Sequence, residues 1–163
     1  GFARLYFKLP ISNFNNTRDY RIKRIDIMSD KGLNILVRSF SYKKRSLEDS
    51  SGHGIGFVFD MRGIDNPGRI ESMKILTGKD EEVRNYLEME TNMPEFISHI
   101  KGLLDITVKN YMQRNFTDLT VNFGCTGGQH RSVYAAETIA AYLNEKFPVQ
   151  VTLQHLEKES WIR

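Results

Sequence analysis

Cys125, Arg131 and Ser132 stand in the stretch VNFGCTGGQHRSVYAAETIAAYL, residues 121 to 143, and their types and spacing suit phosphate chemistry. A cysteine thiolate can attack phosphorus, and an arginine fork can hold two phosphate oxygens at once. Between them Gly127 and Gly128 carry no Cβ, so the backbone can curl and offer its N–H groups to an anion. Thr126 and Ser132 add hydroxyl donors, Gln129 adds an amide, and His130 adds a ring N–H that donates more strongly when protonated. Three readings are open at this point: Cys125 reacts, the loop only holds a phosphate, or the segment is a tight turn that caps a helix.

The loop is not a Walker A motif, because Gly-x4-Gly-Lys-Ser/Thr is absent and no lysine lies in the segment; nor does it fit Gly-x-Gly-x-x-Gly. Cys125, five residues, then Arg131-Ser132 resembles the Cys-x5-Arg-Ser/Thr loop of protein tyrosine phosphatases. That resemblance implies a catalytic set with Cys125 as nucleophile, Arg131 as phosphate clamp, and Asp60 or Asp65 as the acid that protonates the leaving oxygen. The competing reading makes Cys125 a small buried residue at a strand end. The donors between Thr126 and Ser132 favour an anion site whether or not the thiol reacts.

These residues need a scaffold that delivers them together. LTVNFG, 119 to 124, is a β-rich run, and residues 132 to 146 place Val133, Ala136, Ala140 and Leu143 on one helical face. Strand, glycine loop and helix therefore follow one another directly. LNILVRSFSY, 33 to 42, predicts a buried strand, and IGFVFDM, 55 to 61, a second whose end carries Asp60 and Arg62, where α/β sheets deliver ligand groups. VQVTL, 149 to 153, after Pro148, predicts one more. The acidic opening of DEEVRNYLEME, 80 to 90, suits a short helix. Thr91 or Asn92 caps a longer one with Pro94 in its first turn and an apolar stripe of Phe96, Ile97, Ile100, Leu103, Leu104, Thr107, Val108 and Tyr111. Residues 45 to 54 and 63 to 80 read as loops. The fold class is α/β: a layered domain with a mostly parallel central sheet flanked by helices, and a phosphate-binding loop between a strand and a helix.

Composition bounds the rest. With 163 residues, 40% hydrophobic and 26% charged, one domain with a real core is expected. Gly1 in place of Met leads us to expect a piece of a longer protein with an N-terminal neighbour, with 1 to 32 as a lead-in that admits an edge strand or a linker, and 159 to 163 as a tail. A net charge of +3 permits phosphate or nucleic-acid partners without requiring them. RDYRIKR at 18 to 24 and YKKR at 42 to 45 are the densest basic groups; Lys43, Lys44 and Arg45 are candidate RNA contacts, against the plainer reading of a solvated basic face. A single cysteine excludes an intrachain disulfide and a multi-cysteine zinc site, and His53, His99, His130 and His155 are dispersed, so neither a metal nor a cofactor is expected. No apolar run approaches the ~20 residues that cross a bilayer. The expected compartment is the cytoplasm, and a homo-oligomer is left open.

The longer string GCTGGQHRSVYAAE is more specific than the phosphatase spacing. It resembles the GCTGG-x-HRSV-x-x-AE segment of the C-terminal domain of the RapZ family, bacterial RNase adapter proteins also known as nucleotide-binding proteins. RSFSYK at 38 to 43, FVFDMRGIDNPGR at 57 to 69 and LTGKD at 76 to 80 follow that family's order, so the resemblance covers residues 33 to 158. It implies a domain that binds a phosphorylated amino sugar, glucosamine-6-phosphate, and in some members small regulatory RNA presented to an endoribonuclease. The family's ligand contacts fall on Thr126, Gly127, Gly128, His130 and Arg131, with Asp60, Arg62 and Asn66 as a facing wall. Where proteobacterial members have His-Trp after Asn-Pro, this chain has Gly68-Arg69, which removes a histidine contact to the sugar and makes Arg69 its candidate replacement. Their basic tail is replaced here by VTLQHLEKESWIR, of mixed charge. A P-loop kinase-like domain precedes this domain in such members, and nothing in the sequence corresponds to it.

Overall fold

The computed structural model describes residues 32 to 49 and 51 to 162. The expected lead-in, 1 to 31, lies outside the described residues.

Among the described residues four strands, β1 Asn34–Ser41, β2 Phe57–Asp60, β3 Asp118–Cys125 and β4 Gln150–His155, form one sheet in the order β2-β3-β1-β4. Every neighbouring pair is parallel. The register sets Val37 between Val121 and Leu153, and Ser41 beside Cys125. Because side chains alternate along a strand, Ile35, Val37, Val121 and Phe123 point to one face and enter a single core. The helices α1 Glu81–Met89, α2 Met93–Gln113 and α3 Arg131–Lys146 supply Val83, Leu87, Ile97, Ile100, Leu104, Val108, Ile139 and Leu143 to that same core. On the other face the 45–56 segment is tied down where Arg38 donates to the carbonyl of Glu48 and Asn122 to those of Ile55 and Phe57.

The boundaries differ from expectation for local reasons. β2 begins at Phe57 rather than Ile55, because Gly56 adopts φ +72 at a point where an added Cβ would lie 2.1 Å from the carbonyl oxygen of Thr120. It ends at Asp60, whose carboxylate accepts from the N–H of Arg62 and starts a 3-10 turn. The run 63 to 80, expected as irregular, contains short 3-10 turns at Pro67–Arg69 and Glu71–Met73. Of the two capping candidates before α2, Thr91 accepts from the N–H of Met93, whereas Asn92 makes no side-chain cap. The stripe on α2 is buried at Ile97, Ile100, Leu104 and Val108, but Leu103 is half exposed, one position round the helix from the core. The strand-loop-helix junction lies where the sequence placed it: Cys125 closes β3 and Arg131 opens α3.

Candidate functional site

The loop 126 to 130 leaves the carboxyl end of β3, in the middle of the sheet, and runs into the amino end of α3. Gly128 makes this turn possible at φ +70, and a Cβ there would lie 2.5 Å from Cγ of Glu157. Its N–H donates to Sγ of Cys125 at 3.2 Å and its carbonyl accepts from Nε1 of Trp161 at 2.9 Å. Among the described residues, the N–H groups of Thr126, Gly127, Gln129 and His130 meet no acceptor, and neither do those of Arg131, Ser132 and Val133 in the first turn of α3. His130, at the N-cap, supplies no side-chain cap. A helix start left open in this way carries unpaired donors and a positive dipole end.

Arg131 is 4% exposed. Its Nη1 donates to the carbonyls of Ile64 at 2.6 Å and Arg62 at 3.3 Å, which fixes the fork, while Nη2 reaches only Oγ1 of Thr126 at 3.4 Å. Nε is buried and has no partner among the described residues. Burial pushes the guanidinium below its ordinary pKa, partly offset by Cys125 and Asp60. A buried donor left unpaired costs about 1–3 kcal/mol, and Nε is such a donor, for which the described residues supply no acceptor.

The remaining sequence candidates divide into lining and framing groups. The ring Nε2 of His130 lies 2.9 Å from the carbonyl of Met73 and so donates to it, and burial lowers its pKa. Gly68 packs against that ring, where an added Cβ would lie 3.2 Å from Cε1, and Asn66 accepts from the N–H of Gly68. The 66–69 turn therefore lies against the loop at His130, and Arg69 is exposed. Asp60 and Arg62 pair at 2.6 Å at the end of β2, and Arg62 lies over the ring of Tyr42 at 4.2 Å. Gln129 is buried and spends its amide on the backbone: Nε2 donates to Leu76 and Ile162, and Oε1 accepts from Ile162. The hydroxyl of Ser132 is buried against Sγ of Cys125 at 3.1 Å, so Ser132 offers the loop its backbone N–H rather than its side chain. Tyr42, Glu157 and Trp161 also frame the site and were missed. Tyr42 was read for the charge of its neighbours, and the sole tryptophan sits in a segment read as a tail.

The catalytic set is poorly disposed to react. Cys125 is 3% exposed, with Sγ already engaged by Gly128 and Ser132. The hydrogen bond from Arg62 holds the Asp60 carboxyl below the usual range, so it is ionised near neutrality and carries no proton to give. The basic run is partly committed as well: Lys44 donates to Ser160 and Arg45 pairs with Glu157 at 2.7 Å. A cavity of about 340 Å³ lined by His53, Tyr111, Phe116 and Asp118 lies at the amino end of β3. Parallel sheets bind ligands at their carboxyl ends, and none of residues 126 to 130 lines it.

Comparison with known proteins identifies a family. The family described as RapZ C-terminal domain matches residues 33–159. A nucleotide-binding protein of Bacillus velezensis is 44% identical over 124 residues, 76% of this chain and 40% of the relative. One from Acetivibrio thermocellus is 49% identical over 86 residues, 53% of this chain and 30% of the relative. One from Xanthomonas oryzae pv. oryzae is 33% identical over 147 residues, 90% of this chain and 50% of the relative. The chain thus spans half or less of the length of these relatives. Among the described residues no helix is long and apolar enough to cross a membrane.

Proposed function

The chain belongs to the RapZ C-terminal domain family, and on that footing we propose that it is a binding and sensing domain whose Gly124–Ser132 loop captures the phosphate of a small metabolite. The observation that carries this reading is the Nε–Nη2 edge of Arg131, buried and lacking a partner at Nε, beside N–H groups between Thr126 and Val133 that, apart from that of Gly128, meet no acceptor among the described residues. A phosphate oxygen accepts from both edges of such a site and satisfies donors that water reaches poorly. The name shared by the relatives, nucleotide-binding protein, fits the same chemistry.

A sugar phosphate such as glucosamine-6-phosphate suits the facing wall, where Asp60, Asn66 and Arg69 offer polar groups on one side of the loop. The test is calorimetric: glucosamine-6-phosphate, a nucleoside monophosphate and inorganic phosphate are titrated in parallel. Binding of any of them that is lost in Arg131→Lys supports the reading, and heats equal to buffer dilution for all three reject it.

Regulatory RNA and an RNase are partners in the same proposal, with Lys43, Lys44 and Arg45 as the RNA contacts. Retention of structured RNA that weakens steeply with salt supports it, and no shift of RNA at low salt removes it.

A further inference from the structure

Residues 156 to 162 run behind the anion loop, and nearly every polar group they bring there is used. Trp161 gives Nε1–H to the carbonyl of Gly128 at 2.9 Å, and Ile162 exchanges two hydrogen bonds with the side-chain amide of Gln129, at 3.0 and 3.2 Å. Glu157, 3% exposed, lies against Cα of Gly128 and is held by Arg45 at 2.7 Å. The backbone of Leu156 adds a bond to Ser39 of β1 and a carbonyl to Arg45. Gly128 and Gln129 are the two residues whose left-handed turn and buried amide decide where the loop N–H groups point.

We infer that this segment is a latch whose seating and the loop's capture of an anion stabilise each other. The inference rests on the proposed phosphate site and deepens it. With the latch seated, the carbonyl of Gly128 and both ends of the Gln129 amide have partners, and the turn holds its shape. With the latch released, the carbonyl of Gly128 and Oε1 of Gln129 lose their partners, Nε2 of Gln129 keeps only the 74–76 carbonyls, and the turn loses part of the restraint that aligns its donors. An anion that binds only the aligned turn therefore favours the seated latch, and by linkage the seated latch raises affinity for the anion by the same factor.

Trp161 is the only tryptophan and reports on the latch directly. Inorganic phosphate is titrated into the whole chain while acrylamide quenching of Trp161 is measured, and binding is followed separately through the backbone amides of the loop. Quenching should fall as phosphate saturates, and Trp161→Phe, which keeps an aromatic ring but loses the indole N–H, should weaken phosphate about three- to tenfold. Loop amides that shift while quenching stays constant, with equal affinity in Trp161→Phe, would overturn the latch and leave the phosphate site standing. Loop amides that do not shift at all would overturn both. If Trp161→Phe fails to fold, the quenching of the natural protein alone decides.

Discussion

Nη1 of Arg131 donates to the backbone carbonyl of Ile64 at 2.6 Å, joining the first residue of α3 to the turn that follows β2. That bond turns the guanidinium so that its Nε–Nη2 edge lies on the loop side, with Thr126 as the nearest acceptor. A lysine can keep one carbonyl contact but not a fork. Arg131→Lys should therefore fold, lose about 1–3 kcal/mol in urea denaturation, and bind phosphate at least ~10-fold more weakly, about 1.4 kcal/mol. Unchanged phosphate affinity would remove Arg131 from the site.

The two loop glycines should respond differently. A Cβ at Gly127 meets nothing within 4 Å, whereas at Gly128 it would collide with Glu157 at a φ of +70. Gly127→Ala should stay within about 0.5 kcal/mol of the parent. Gly128→Ala should lose about 1–3 kcal/mol or more, read as a lower denaturant midpoint at unchanged slope. Equal midpoints for the two variants would contradict the turn described here.

His130 sets a pH dependence. Its folded pKa lies below the ordinary value because burial disfavours the cation. The unfolded state, with a pKa of about 6.5, binds the proton more readily, so the stability His130 contributes is present above that pH. It is lost as pH falls from about 6.5 through the folded value. The difference in denaturation midpoint between the parent and His130→Gln should thus shrink or reverse between pH 7.5 and pH 5. A difference that grows on acidification would mean that the folded histidine is a cation.

Cys125 should prove dispensable for capture. Serine in its place can still accept from the N–H of Gly128 and pair with Ser132. Cys125→Ser is expected to keep phosphate affinity within about twofold, ~0.4 kcal/mol, and neither form should hydrolyse an aryl phosphate. Turnover by the parent that vanishes in Cys125→Ser would instead establish thiol chemistry.

Much of this was legible in the sequence. The β-branched and aromatic apolar run in NILVRSFS and the β-rich run before Gly124 announced the two central strands, and the chain from Cys125 to Arg131 announced the strand-loop-helix junction. Local pattern says nothing about which groups a distant segment will occupy. Gln129 and Ser132 look like ligand donors in one dimension, yet one is spent on Leu76 and Ile162 and the other on Cys125. Arg131 looks like a surface clamp and is a buried one, because the carbonyls that hold it come from residues more than sixty positions earlier. Trp161 and Glu157 join the site only through long-range packing of the segment after β4. The charge of Lys44 and Arg45 was visible, but the partners that engage it, Ser160 and Glu157, were not.

The most direct test of phosphate capture is a 15N correlation spectrum recorded during titration with inorganic phosphate and then glucosamine-6-phosphate. The account predicts saturable shifts concentrated in the backbone amides from Thr126 to Val133 and in the Nε–H of Arg131, with the sugar phosphate adding shifts near Asn66 and Arg69. Amides of the loop and an Arg131 Nε–H that stay unmoved at millimolar ligand would contradict it.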